Sequence, residues 1–220
     1  MAISASDVKA LREKTGAGMM DCKKALNETD GDFDKAVTWL REKGIASASK
    51  RSGRAASEGS VASYIHMGGK IGVLVEVNCE TDFVARGDEF QTLCKEICLQ
   101  ICSAAPRWIQ REDVPQDVLD AEKEIYKVQA RETGKPENVL DKIAEGKMKK
   151  FFEDNCLLEQ GYVKEPKTKV LDMIKELSGK IGEKIDVRRF ERYQLGEGIE
   201  KVQSNLAEEV AEAVAASKGD

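Results

Sequence analysis

The chain has 220 residues, enough for one compact domain with a small companion or for two modest ones. Charged residues make up 34% and aromatic residues 5%, the balance of a helix-rich protein with a modest core. A net charge of −5 excludes a surface built wholly for nucleic acid, and no apolar run approaches the ~20 residues that span a bilayer.

The first segment runs from Ser4 to Gly44. Ser6 is expected to cap a helix whose apolar face carries Val8 and Leu11, and Thr15-Gly16-Ala17-Gly18 breaks it. Met19, Cys22, Ala25 and Leu26 fall at helical spacing and mark a second helix, which ends in the run from Asn27 to Gly31. Asp32 caps a third helix bearing Phe33, Ala36, Val37 and Leu40, with Gly44 as its expected stop. Three short helices in this span resemble a ubiquitin-associated-type bundle, and the few apolar positions predict marginal stability for the bundle by itself. Residues 45–60 are small, polar and basic and read as a linker with a helical start. Its Lys50-Arg51-Ser52-Gly53-Arg54 cluster is either a solvated face or a phosphate contact.

The pattern then changes. Val61 to His66 and Ile71 to Asn78 are β-rich runs joined by Met67-Gly68-Gly69-Lys70, which predicts a hairpin. The second run is almost wholly apolar through Val77, so it is expected at the centre of a small sheet. From Asp88 a helical stripe returns, formed by Phe90, Leu93, Cys94, Ile97, Cys98, Ile101 and Cys102. After an irregular stretch between Pro106 and Pro115, one helix is expected with Val118, Ala121, Ile125 and Val128 inward. Another uses Val139, Leu140 and Ile143 and, less regularly, Met148, Phe151 and Phe152. A helix with Val170, Leu171, Ile174 and Leu177 follows Pro166, and Ile185 to Tyr193 is a third strand with a slip near Phe190 that predicts a bulge. A last amphipathic helix with Leu206, Val210 and Val214 either covers the core or docks on a partner. The predicted fold class is α+β: the three-helix bundle in residues 1–44, the linker, a helix-rich core with a small three-stranded antiparallel sheet in 61–195, and a helical module in 196–220.

Much familiar chemistry is missing. There is no phosphate-cradling GxxxxGK[ST] loop, and the single histidine, His66, removes most histidine-based triads and zinc sites. The six cysteines, Cys22, Cys79, Cys94, Cys98, Cys102 and Cys156, have no CxxC spacing, and the N-terminal residues lack a secretory pattern. Reduced thiols in the cytosol are expected. Cys94, Cys98 and Cys102 share their helix face with large apolar residues, so core packing is expected there and a metal is not. Cys79 sits beside acidic residues, which disfavour a reactive thiolate. No cofactor is called for, and an enzyme is not expected.

One connection stands out. Phe83 lies between acids in the short run Asn78-Cys79-Glu80-Thr81-Asp82-Phe83-Val84-Ala85-Arg86-Gly87-Asp88, after the apolar strand. The residues alone leave two readings: a lid over the protein's own core, or an anchor for a partner's pocket. The string Val77 to Ala85 resembles the core motif of the elongation factor Ts family. Leu11-Arg12-Glu13-Lys14-Thr15-Gly16-Ala17-Gly18-Met19-Met20-Asp21-Cys22-Lys23-Lys24-Ala25-Leu26 resembles its N-terminal motif. Ile143 to Phe151 and Gly196 to Val202 add two supporting matches in the family's order. The strand–helix unit occurs once here, so the chain resembles the family's short form, found in some bacteria and in plastids. That form implies a bacterial cytoplasmic location, or the plastid stroma after removal of a transit peptide.

The resemblance implies the partner and the roles. The partner is elongation factor Tu, a GTPase, from which the chain releases GDP by disturbing the magnesium and phosphate site. Asp82 and Phe83 insert between helices of the GTPase domain, while Thr81 and Val84 hold the loop's shape. Lys9, Arg12, Met19 and Met20 form a second contact; their alternatives are bundle core for Met19 and solvated charge for Lys9 and Arg12. His66 faces the partner or is a satisfied structural histidine. In the short form a second molecule supplies the other core, as a homodimer or a 2:2 complex. The family carries proline where Gly161 stands here, which predicts a freer loop. Two rivals remain: a ubiquitin-associated-type adaptor, which leaves the Thr81-Asp82-Phe83-Val84 segment idle, and a thiol enzyme using Cys79.

Overall fold

The computed structural model describes residues 3–199. The described chain opens with three helices, α1 (Ala5–Thr15), α2 (Met19–Glu28) and α3 (Phe33–Lys50). α1 is capped by Ser4 and not by Ser6: the Ser4 hydroxyl accepts from Asp7 N–H at 3.2 Å while the Asp7 carboxylate accepts from Ser4 N–H at 3.0 Å. This reciprocal box satisfies two free donors at once, which a cap at Ser6 would leave open. Asp32 caps α3 as expected, accepting from Lys35 N–H at 3.0 Å. Leu11, Cys22, Ala25, Leu26 and Ala36 fill the bundle's small core.

α3 does not stop at Gly44 but continues six residues into the expected linker, to Lys50. The glycine serves a helix crossing instead. α3 packs along α8 (Val170–Ile181), and a Cβ on Gly179 would lie 2.5 Å from the Gly44 Cα. Only a glycine at 179 lets the two backbones approach this closely. An ion pair from Arg41 to Glu176 at 3.0 Å flanks the crossing.

The core sheet has the order β1-β2-β5, all antiparallel, with β1 at Glu58–His66, β2 at Ile71–Cys79 and β5 at Ile185–Gln194. β2 is central, as its apolar sequence predicts. The register slips between Glu76 and Val77, leaving Arg188 as the extra residue on β5, two positions before the expected Phe190. The bulge brings Arg188 and Arg189 together onto the Glu76 carboxylate, at 2.8 and 2.6 Å.

A single helical turn, α4 (Asp82–Ala85), and then α5 (Asp88–Ala104) follow β2. The inner sheet residues Val73, Val75 and Val77 meet Phe90, Ile97 and Ile101 of α5, together with Val170 and Ile174 of α8. Cys94, Cys98 and Cys102 are buried in this core as free thiols. Burial pushes the Cys94 thiol up to about 12 and Cys98 up to about 11, so neither ionises at neutral pH.

α6 (Gln116–Glu132) and α7 (Glu137–Asn155) form a helical hairpin. Its packed face differs from the expected one: Val118, Leu119, Tyr126 and Ala130 face inward, while Ile125 and Val128 stay exposed. α6 has α7 as its main partner, so it buries one narrow stripe and leaves a second apolar one outside. Between α7 and α8 lies a two-stranded ribbon, β3 (Gly161–Tyr162) with β4 (Glu165–Lys169), which the polar sequence did not suggest. Gly161 is therefore not in a free loop. A Cβ there would meet the Pro166 carbonyl oxygen at 2.6 Å, so the close strand approach requires its bare backbone. The expected helix carrying Leu206, Val210 and Val214 lies outside the described residues.

Candidate functional site: an exposed aromatic on a braced turn

The connection after β2 presents its aromatic ring outward. Phe83 is 83% exposed, the highest value among the exposed large apolar side chains of the described residues. Between the two readings left open by the sequence, the geometry selects the protruding one. The backbone beneath the ring is held firmly. Thr81 caps α4 by accepting from Val84 N–H at 3.3 Å, and Val84 and Ala85 are buried in the core. Asp82 is exposed and pairs with Arg86 one turn later. The Cys79 thiol donates to the Thr81 carbonyl at 3.1 Å from inside the core.

The strongest ties come from a segment that sequence reasoning missed. The Glu183 carboxylate accepts from Glu80 N–H at 3.1 Å, from Thr81 N–H at 3.0 Å and from the Thr81 hydroxyl at 2.7 Å. In return Lys184 N–H donates to the Glu80 carboxylate at 2.6 Å, and Arg54 donates to it at 3.2 Å. The Lys184 amide, followed by Arg54, holds the Glu80 carboxyl below its ordinary value. Nothing in the turn Gly182-Glu183-Lys184 singles it out as a sequence; only the pairing of β2 with β5 places it beside the tip. Arg54, from the basic cluster of the expected linker, is thereby engaged within the protein.

The other residues named from the sequence lie on other elements than the tip, on α1, α2 and β1. Met19 and Met20 begin α2 and are 45% and 77% exposed, so Met19 is not bundle core. Lys9 and Arg12 are exposed on α1, Lys9 near Glu13 at 3.8 Å. His66 ends β1 opposite Ile71, whereas the tip follows Cys79 at the other end of the hairpin. Eight residues of strand rise separate the two ends by roughly 25 Å. His66 Nδ1 lies 2.9 Å from the Tyr64 hydroxyl, a partner within its own strand.

Burial, then the Glu183 charge, pushes the Cys79 thiol upward, away from the nucleophilic thiolate. No group of three or more potential metal ligands occurs among the described residues, and none of their helices is long and apolar enough to cross a membrane.

The molecule is thus of the α+β class, displaying one aromatic on a stiffened turn and exposed methionines on its small helical bundle. Residues 19–197 match the family described as Elongation factor TS. Relatives with the name Elongation factor Ts share most of the chain. That of Anaeromyxobacter sp. (strain K) is 62% identical over 216 residues, covering 98% of this chain and 99% of its own length. That of Geobacter sulfurreducens is 58% identical over 213 residues, covering 97% and 99%. That of Thermoanaerobacter sp. (strain X514) is 61% identical over 198 residues, covering 90% and 97%. The chain belongs to the elongation factor Ts family and is a translation elongation factor.

Proposed function

We propose that the chain is a guanine-nucleotide exchange factor for elongation factor Tu and acts without a covalent step of its own, in the bacterial cytoplasm. The observation that carries this reading is the outward ring of Phe83 on a backbone tied down at Glu80, Thr81 and Val84. Asp82 and Phe83 wedge between helices of the GTPase domain, disturbing the groups that hold the magnesium ion. The phosphates lean on that ion for charge neutralisation, so its displacement releases GDP. Linkage fixes the energetics: a factor that weakens GDP binding tenfold is itself bound tenfold more weakly by the GDP form, about 1.4 kcal/mol each time. Burying the Phe83 ring contributes ~2 kcal/mol, so other surfaces must contribute the rest. Met19 and Met20, with Lys9 and Arg12, supply one of them.

A second copy of the chain completes the assembly. The outer face of the sheet supports this partner: Val61, Ile65, Leu74 and Tyr193 stand exposed on it, spread over all three strands. Sedimentation with and without the GTPase checks the stoichiometry, and Leu74→Glu is expected to shift a homodimer toward monomer.

The adaptor alternative accounts for the bundle only, whereas the family match runs on through residue 197 and includes the tip. The thiol alternative requires ionisation of a buried Cys79. The deciding assay is release of a fluorescent GDP analogue from purified elongation factor Tu. Acceleration by this chain is expected; no acceleration at any concentration rejects the reading.

A further inference from the structure

We propose that Glu183 is the positioning residue that aims the Phe83 ring, acting on it through the Thr81 hydroxyl. This deepens the exchange reading above and rests on it. α4 has four residues, too few for a helical turn to hold itself against the cost of nucleation. Phe83 is solvent-exposed and Asp82 is tied only to its own turn, so neither fixes the direction of the ring.

The hydroxyl of Thr81 has one proton to give. Glu183 takes it at 2.7 Å, which turns a lone pair of the same oxygen toward Val84 N–H at 3.3 Å. The bond that starts α4 therefore depends on a carboxylate 102 residues away in sequence. The same carboxylate takes both backbone N–H groups that precede the turn, from Glu80 and Thr81. Three donors on one anion form a charge-assisted clasp, stronger than neutral hydrogen bonds. Glu183 is itself anchored: the buried Ser178 donates its hydroxyl to the Glu183 carbonyl at 2.5 Å. A continuous path runs from α8 through Ser178, Glu183 and Thr81 to the base of the ring.

The test is a four-cornered comparison of GDP-analogue release from elongation factor Tu, using the full chain, Glu183→Gln, Phe83→Ala and the double variant. Glu183→Gln preserves shape but removes the charge, and if its oxygen keeps the two backbone N–H groups its NH2 faces the Thr81 hydroxyl, which must then accept and no longer donate there. It is expected to lower the maximal release rate about tenfold, with the half-saturating concentration changed less than about twofold. In the Phe83→Ala background the same substitution should change nothing further, because the clasp has no ring left to aim. Thr81→Val should reproduce Glu183→Gln, and Thr81→Ser should retain near-normal release; this pair carries the test if Glu183→Gln lowers the melting temperature. Equal fold losses with and without Phe83, or full activity of both Glu183→Gln and Thr81→Val while Phe83→Ala is impaired, would overturn the proposal. Full activity of Phe83→Ala itself would instead remove the exchange-tip reading, and this inference with it.

Discussion

The Phe83 tip and the Met19–Met20 edge of the bundle both expose large apolar side chains, on unlike supports. The tip stands on a turn capped by Thr81, clasped by Glu183 and backed by buried Val84 and Ala85. The methionines begin a helix whose N-cap, Gly18, offers no side-chain hydrogen bond, and the loop before it passes through Gly16 at φ 68°. A stiff support beneath an aromatic suits a wedge, because little ordering entropy is lost when it inserts. Unbranched thioethers at the start of a helix with no side-chain cap suit a pad that conforms to whatever it meets. Both supports trace back to α8: the turn after it holds the tip, and Gly179 within it seats the bundle through α3.

The largest expected effect lies at the tip. Phe83→Ala should reduce stimulated GDP release by about 2 kcal/mol, roughly 30-fold, in the range of an interface hot spot. Its stability should change by no more than ~0.5 kcal/mol, because the ring contributes little to the folded core. Thermal melting beside the exchange assay separates the two effects. A large drop in melting temperature would show that the ring serves its own fold and erase the contrast between wedge and pad.

The seat of the bundle gives a pair of substitutions with opposite signs. A Cβ on Gly179 would come within 2.6 Å of three Gly44 backbone atoms, whereas a Cβ on Gly44 would meet its nearest atom at an ordinary 3.7 Å. Gly179→Ala should therefore force the helices apart and destabilise the protein by ~2 kcal/mol or more. Gly44→Ala should stabilise it by up to ~1 kcal/mol through helix propensity alone. Denaturant titration checks both. If the two variants shift the midpoint alike, the crossing is not what fixes the bundle.

Of intermediate size is the pad itself. Met20→Ala should weaken binding to the nucleotide-free GTPase by ~1 kcal/mol, about fivefold, measured by calorimetry. The maximal release rate should hold, since the wedge is untouched. A lowered rate at unchanged affinity would move Met20 from pad to wedge.

These contrasts were unevenly legible in the amino-acid sequence. Periodicity located the longer helices and the three strands of the core sheet, though not the β3–β4 ribbon, because apolar spacing follows burial: the α5 stripe and the central strand β2 are both where Ile97 and Val75 require them. It misplaced the packed face of α6, where Ile125 and Val128 look inward by spacing yet have nothing to cover them. It also misread Gly44, since a glycine that stops a helix and one that lets two helices touch have the same letter. The motif around Phe83 was visible as a string. Its reinforcement was not: Glu183 and Lys184 are ordinary polar turn residues until the pairing of β2 with β5 brings them across. Local propensity is written along the chain, whereas a clasp between distant segments exists only after the sheet has formed.

The smallest expected effect concerns acid, and it distinguishes the tip's ties from those of the bundle. The Glu80 carboxyl is lowered from an ordinary 4.5 mainly by the Lys184 amide and then by Arg54. A carboxyl depressed in the folded state contributes stability above its unfolded value, and that contribution is lost as pH falls through the depressed value. Glu80→Gln should therefore melt slightly below the unsubstituted chain at pH 7, and the gap should close as the pH drops below 4.5. Asp32, which caps α3, is lowered from 3.8 mainly by the Lys35 amide, so the gap for Asp32→Asn should likewise close in acid, as pH falls below 3.8. Melting curves for the two variants over a pH series compare the regions directly. If the Glu80→Gln gap stays constant through acid pH, the carboxylate's charge is not what joins the tip to the turn at Lys184, and the stiffness of the wedge must come from Glu183 and the buried Val84 and Ala85.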